Sequence, residues 1–167
     1  MIKMLRIDDR LLHGQVIFMW TKYLNIKGII VANDEVIHDP IQMTAMKLSV
    51  PNHFKLLFKG IDDAVRILNN PRSQNMNILV MVSDPKDASR ILRGIDDTSY
   101  IEKINIGNSG RIDKGQKKML TKEVYVDEED IQIMEEILNY PIPFEIQMVP
   151  TSNKVEVKEV LENYKMS

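Results

Sequence analysis

His13 is the residue of this chain whose surroundings best suit nucleophilic chemistry. It lies within Arg6-Ile7-Asp8-Asp9-Arg10-Leu11-Leu12-His13-Gly14-Gln15-Val16, between a charged Asp-Asp-Arg turn and a glycine that opens an amphipathic stretch. An imidazole is largely neutral at physiological pH, so one ring nitrogen keeps a lone pair that can attack phosphorus. Arg10 precedes it by one helical turn's worth of chain, and a planar guanidinium can grip two phosphate oxygens. Phosphoryl transfer needs in-line positioning and donors for the charge on the equatorial oxygens more than covalent help. Histidine, arginine and a helix start supply both, so the segment predicts phosphoryl acceptance on His13. Spacing alone leaves other readings open: His13 as a helix cap or surface residue, and Arg10 as the ion-pair partner of Asp8 or Asp9.

The elements that must position these residues are legible in the periodicity. Short apolar runs predict strands at 2–8, 27–32, 53–58, 77–82, 101–106, 119–126 and 143–149. Helical patterns fall between them, at 14–24, 34–49, 60–70, 84–94, 127–139 and 154–164. Ser83-Asp84-Pro85 offers a capping side chain ahead of a first-turn proline, and Asp127-Glu128-Glu129-Asp130 puts acid in a first turn. Strand and helix in alternation predict an α/β fold: a single-domain, open, mostly parallel twisted sheet of about seven strands with helices on both faces. No repeat, low-complexity segment or interdomain linker interrupts it, so residues 1–167 are expected to form one domain.

In an open sheet of this kind ligands bind outside the carboxyl ends of the strands. That rule selects the loops after Asp8, Ala32, Val82 and Ile106, which carry Asp9, Arg10 and His13; Asn33 and Asp34; Ser83; and Asn108, Ser109 and Arg111. Asp9 would repel a phosphoryl group, so its expected work is to orient Arg10 or to bond loop amides. Gly14 permits close backbone approach, which would let the amides of residues 14 and 15 face a phosphate at the positive end of the helix dipole. Gln15 has a side-chain amide to donate, or is a plain first-turn residue. Ser83 has a hydroxyl for the same oxygens, or caps the helix that follows. Asp34 is equally a capping residue, and Trp20 belongs to the apolar face of the first helix.

Composition removes several classes of function. Lys plus Arg number 22 against 24 Asp plus Glu, a net charge of −2 that gives no electrostatic case for nucleic-acid or membrane-surface binding. The absence of cysteine excludes disulfides, zinc thiolates and thiol catalysis. The start MIKMLRIDD has no apolar signal core, and no window reaches the roughly 18 apolar residues of a membrane span, so a cytoplasmic location without direct membrane insertion is expected. His38 and His53 lack a chemical neighbourhood like that of His13, and three scattered histidines have no metal-ligand spacing, so no metal and no cofactor is expected. Gly110 and Gly115 have the separation of the two glycines of a nucleotide P-loop, but Gln116-Lys117 replaces its Lys-Ser/Thr pair, which argues against ATP as the donor.

The run RIDDRLLHGQV closely resembles the active-site segment of the IIB subunit of the mannose/fructose/sorbose family of the bacterial sugar phosphotransferase system. IIVANDEV, from Ile29 to Val36, resembles the family's second strand and following loop. KINIGNSGR, from Lys103 to Arg111, is similar to its fifth strand and turn, with Asn108 where many relatives have glycine. VYVDEEDI, from Val124 to Ile131, resembles its sixth strand and a late helix start. The pieces keep the family's order over nearly the whole chain. The resemblance implies a single phosphotransferase IIB domain, with the first strand central between the fourth and fifth, so that Ser83 and Asn108 stand beside His13. It implies a protein-N(π)-phosphohistidine–sugar phosphotransferase component. Its phosphoryl group comes from a IIA phosphohistidine protein or domain and goes to a sugar presented by the IIC and IID membrane subunits, holding the chain at the inner face of the membrane through its partners. A binding or regulatory module on the same scaffold, with His13 only a ligand contact, is the competing class; a pure interaction protein would leave Arg10 and His13 without chemical purpose.

Overall fold

Aliphatic runs too short for helices and rich in Ile, Val and Leu form the principal strands, and after each of the first four a helix returns the chain over the sheet. The computed structural model describes residues 1–112 and 116–166. Its strands are β1 (Ile2–Ile7), β2 (Gly28–Ala32), β3 (Lys55–Lys59), β4 (Ile78–Val82), β5 (Ile104–Ile106), β6 (Lys118–Met119), β7 (Tyr125–Val126), β8 (Phe144–Ile146) and β9 (Val155–Glu156). Its helices are α1 (Gly14–Tyr23), α2 (Pro40–Leu48), α3 (Ile61–Asn69), α4 (Pro85–Gly94), α5 (Glu128–Ile137) and α6 (Val157–Met166). The main sheet has the order β3-β2-β4-β1-β5-β8-β9, parallel throughout except for β9, which runs antiparallel to β8. The first strand is therefore central, between β4 and β5, as the resemblance implied.

Strand alternation divides the core in two. Leu5, Ile7, Ile30, Val80, Ile104 and Phe144 face α3, α4, α5 and α6. Met4, Ile29, Val31, Leu79 and Met81 face α1 and α2, packing on Ile17, Trp20 and Met46. On this second face the sheet changes character past β1. Register aligns Arg6 with Asn105 and Asn105 with Glu145, and all three side chains are buried. A polar row thus crosses β1, β5 and β8 where an apolar one continues on the other face.

Five predicted elements need correction. Residues 119–126 are not one strand of the main sheet: Leu120 and Thr121 donate their N–H groups to the Val124 carbonyl, and the resulting turn leaves β6 and β7 as a separate antiparallel pair. The sheet still has seven strands because β9 joins it, from a segment read as the start of a helix over 154–164. The helix expected over 34–49 begins at Pro40, since the Asn33 side chain accepts from the Glu35 and Val36 amides and Asp39 caps α2 ahead of the proline. The strands expected over 101–106 and 143–149 are shorter: Ile101 contributes only an isolated bridge to Ile2, and the second of the two spans only Phe144–Ile146.

Candidate active site

The loop after β1 is stitched to both neighbouring strands. Asp8 N–H donates to the Val82 carbonyl at 2.9 Å and Asp9 N–H to the Asn108 carbonyl at 2.8 Å. Leu11 N–H closes a turn onto the Asp8 carbonyl at 2.9 Å, and Leu11 itself adopts the left-handed region with φ 57. That conformation costs a leucine about 1–2 kcal/mol. Burial of the Leu11 and Leu12 side chains in the α1-side core offsets it and holds the loop in place.

His13 follows those two anchors and is exposed. It caps α1 from an extended backbone (φ −129, ψ 108), with its carbonyl accepting from Ile17 N–H at 3.0 Å. The imidazole makes no capping hydrogen bond, so the helix-cap reading holds for the backbone and not for the ring. Gly14 and Gln15 form the first turn of α1, which contains no acidic residue, and Gln15 is exposed. This is the end of a helix that attracts anions. A Cβ at Gly14 would lie 3.5 Å from the Ser49 carbonyl oxygen and 3.6 Å from its Cβ, ordinary contact. Packing does not demand glycine there.

Arg10 is held from beneath by Asp8, whose side chain is 1% exposed. Asp8 Oδ1 accepts from Arg10 N–H at 3.0 Å and from Nε at 3.1 Å, while Oδ2 accepts from Nη2 at 3.1 Å. On its other side Asp8 Oδ2 accepts from Nη2 of the fully buried Arg6 at 3.2 Å. Arg6 also donates to the Asn105 side-chain oxygen and to the Gln147 and Met148 carbonyls, and stands 5.7 Å from the Trp20 ring. Burial, opposed in part by Asp8, lowers the Arg6 guanidinium from 12.5 to about 10, so it stays a cation at neutral pH. Gly107 makes this packing possible. A Cβ there would come within 2.2 Å of Arg6 Nη2 and 2.5 Å of Asp8 Oδ2. Asn108 closes the assembly, its amide oxygen turned toward Arg10 at 2.9 Å from Nε, 2.8 Å from Nη2 and 3.2 Å from Nη1. An oxygen that near to all three nitrogens lies over the guanidinium face rather than in its plane.

The remaining candidates sit around this centre. The Asp9 carboxylate accepts from Arg111 N–H at 3.0 Å, taking the amide-bonding course of its two expected roles rather than orienting Arg10. Ser83 lies at the end of β4, beside β1, with its hydroxyl accepting from Asn33 Nδ2 at 3.2 Å. It does not cap α4: Asp84 does, accepting from Asp87 N–H at 2.8 Å ahead of Pro85. Asp34 caps α3 by accepting from Ile61 N–H at 2.9 Å and pairs with Arg90 at 2.7 Å. Trp20 is fully buried, as expected. His38 and His53 are exposed, the latter against Phe54 ahead of the amino end of β3, the opposite rim from His13. The P-loop-like stretch cannot be compared in full, since Gly115 lies outside the described residues. Among the described residues no group of three or more His, Asp or Glu is arranged to hold a metal.

Sequence reasoning overlooked Arg6, Asn105 and Gly107, and left Asp8 as one of two ion-pair partners offered to Arg10, the one the structure bears out. A signal for Arg6 and Asp8 was present: both share the parity of Met4 in a central strand, where charge has no business unless it is paired.

The fold and the rim define a mostly parallel α/β domain in which an exposed histidine at a helix start shares a short loop with a braced arginine. The family model for the PTS system sorbose subfamily IIB component matches residues 2–167, and the chain belongs to that family. It is 34% identical over 165 residues to a probable phosphotransferase enzyme IIB component of Streptococcus pyogenes, covering 96% of this chain and 99% of that protein. The crystal structure of the IIBSor domain of the sorbose permease from Klebsiella pneumoniae superposes with a TM-score of 0.88 at 30% identity, covering 97% of this chain and 96% of that one. The mannose-specific EIIAB component of Escherichia coli K12 is 30% identical over 160 residues, covering 96% of this chain and 48% of that longer protein. Among the described residues no helix is long and apolar enough to cross a membrane.

Proposed function

We propose that His13 is the phosphoryl carrier of this IIB component, charged by a IIA phosphohistidine and discharged to a sugar presented by IIC and IID membrane subunits. The observation that carries the reading is the exposed imidazole, uncommitted to helix capping, at the start of α1 and in the same short loop as the braced Arg10. A neutral ring nitrogen of His13 attacks phosphorus in line. A nitrogen–phosphorus bond forms as the donor's breaks, and the donor imidazole recovers the proton that the new phosphoimidazole releases. In the second step a sugar hydroxyl oxygen attacks, its proton passing to the His13 ring as the nitrogen–phosphorus bond breaks.

Arg10 supplies charge to the equatorial oxygens, and the Gly14 and Gln15 amides add donors from the helix end. Asn108 shapes the guanidinium's surroundings, Asp9 keeps the loop after β5 in place through the Arg111 amide, and Ser83 offers its hydroxyl hydrogen from the neighbouring strand end. The EIIAB relative, in which a IIA name and a IIB-like segment share one chain, supports a IIA donor. On this reading residues 1–167 act as one cytoplasmic IIB domain, drawn to the membrane by its partners. The test is intact mass after incubation with phosphoenolpyruvate, the general phosphotransferase proteins and a IIA donor. One added phosphoryl group, lost in acid and kept in base, is expected; no gain in mass overturns the proposal.

A further inference from the structure

We propose that Asp8 is the positioning residue of the transfer: its buried carboxylate, braced by Arg6, locks Arg10 so that only the Nη1 end of the guanidinium is left for a phosphoryl group. The inference rests on the phosphocarrier reading and names a part within it. Five N–H groups converge on the Asp8 carboxylate: three from Arg10, one from Arg6 and the Asn108 amide at 3.4 Å. A carboxylate with 1% exposure and that many donors has no freedom to turn. It holds the Arg10 backbone and head group together, so turn and side chain are set as one unit.

The geometry also decides which part of Arg10 works. A guanidinium has two in-plane edges suited to a pair of oxygens, and two faces. Asp8 occupies the Nε–Nη2 edge and Asn108 covers a face. Both Nη1 hydrogens and the outward Nη2 hydrogen remain, an end-on fork for two phosphoryl oxygens. Two guanidinium cations around one carboxylate leave the cluster with net positive charge, matched to an incoming dianion. Arg6 cannot itself reach solvent, so whatever it contributes to the rim passes through Asp8. Removal of an outer partner of this kind typically lowers activity on the order of ten- to a hundredfold while the contacting group remains.

The test has a spectroscopic and a kinetic arm. In the nitrogen–proton correlation spectrum of the full chain, Arg10 Nε–H should give a slowly exchanging peak at neutral pH that Asp8→Asn abolishes. Rapid exchange in the unaltered chain, or an unchanged peak in the variant, overturns the proposal whatever the chain transfers. In the kinetic arm Asp8→Asn should slow phosphoryl acceptance on the order of ten- to a hundredfold. Adding it to Arg10→Ala should cause no further loss, because a residue acting through Arg10 has nothing left to position. Equal fractional loss in both backgrounds marks Asp8 as merely structural and contradicts the inference. Should Asp8→Asn fail to fold with Arg6 buried and unpaired, Asp8→Asn with Arg6→Gln removes both buried charges and repeats the comparison. If the unaltered chain accepts no phosphoryl group at all, the phosphocarrier reading falls, and the Arg10 peak still decides whether Asp8 holds the guanidinium.

Discussion

Arg10 and Arg90 both stand near the carboxyl ends of the strands among aspartates, and they are held in opposite ways. Arg10 leans on a carboxylate with 1% exposure that a second, fully buried arginine braces. Arg90 reaches Asp34, Asp62 and Asp87, whose side chains are 53%, 91% and 16% exposed. The first cluster has an excess of cation and little freedom; the second has an excess of carboxylate and is largely solvated. Exposed pairs contribute about 0–1 kcal/mol each and reorganise easily. A buried carboxylate with every lone pair engaged holds its partner without reorganising when charge arrives, which is the property phosphoryl transfer rewards. Number of ion pairs therefore says little about how firmly an arginine is held; burial of the counter-ion says more.

On the proposal that His13 is the nucleophile, its removal has the largest expected effect. His13→Ala should abolish phosphoryl acceptance while a circular-dichroism melt stays nearly unchanged, since loss of an exposed imidazole costs well under ~1 kcal/mol. Next, Arg10→Ala should slow transfer on the order of a hundredfold, as removal of one preorganised donor does. Arg10→Lys should recover only part of that, because a point charge reproduces neither the grip on Asp8 nor the end-on fork. If the Arg, Lys and Ala versions transfer equally fast, the contrast with Arg90 collapses.

Gly107→Ala attacks the brace without removing any charge. Its methyl would enter the space of Arg6 and Asp8, and overpacking of this sort costs about 1–3 kcal/mol, a drop of several degrees in a thermal melt. An unchanged melt would mean that the buried pair yields freely. The smallest effect belongs to the other cluster. Burial first, and Asp84 nearby second, push the Asp87 carboxyl from 3.8 up to about 6. Between those values the folded chain keeps a proton that the unfolded chain has lost, so this group makes stability fall as pH rises through the window. Melts of Asp87→Asn across the same window should show a flatter decline, with transfer rate untouched. A slope identical to that of the unaltered chain would show that Asp87 titrates as in water.

The site was legible in the sequence to unequal depths. His13, Arg10 and the loops after β1, β4 and β5 followed from an apolar run, a helix start and the carboxyl-end rule, and the central place of β1 from the family resemblance. Which carboxylate brackets Arg10 did not follow. Asp8 and Asp9 are adjacent and chemically alike, and only strand parity separates them: Asp8 falls on the α1 face with Met4 and Arg6, Asp9 turns toward Arg111. A register irregularity between Ile2 and Met4 blurs that parity over the first residues. Asn105 and Glu145 were not singled out, because their partners lie far off in the chain: Asn105 bonds to Arg6 and to the Gln147 carbonyl, and the buried Glu145 pairs with Lys103. The break before α2 was missed because Asn33, Asp34 and Asp39 all have capping chemistry, and only the three-dimensional partners decide which residue caps what.

The most direct test of the central claim is to locate the phosphoryl group itself. The chain is charged by a IIA donor, digested under alkaline conditions that preserve nitrogen–phosphorus bonds, and its peptides are sequenced by tandem mass spectrometry. The account predicts the added phosphoryl group on His13, beside Arg10 and the start of α1. A phosphoryl group found on His38 or His53, with His13 unmodified, would contradict it.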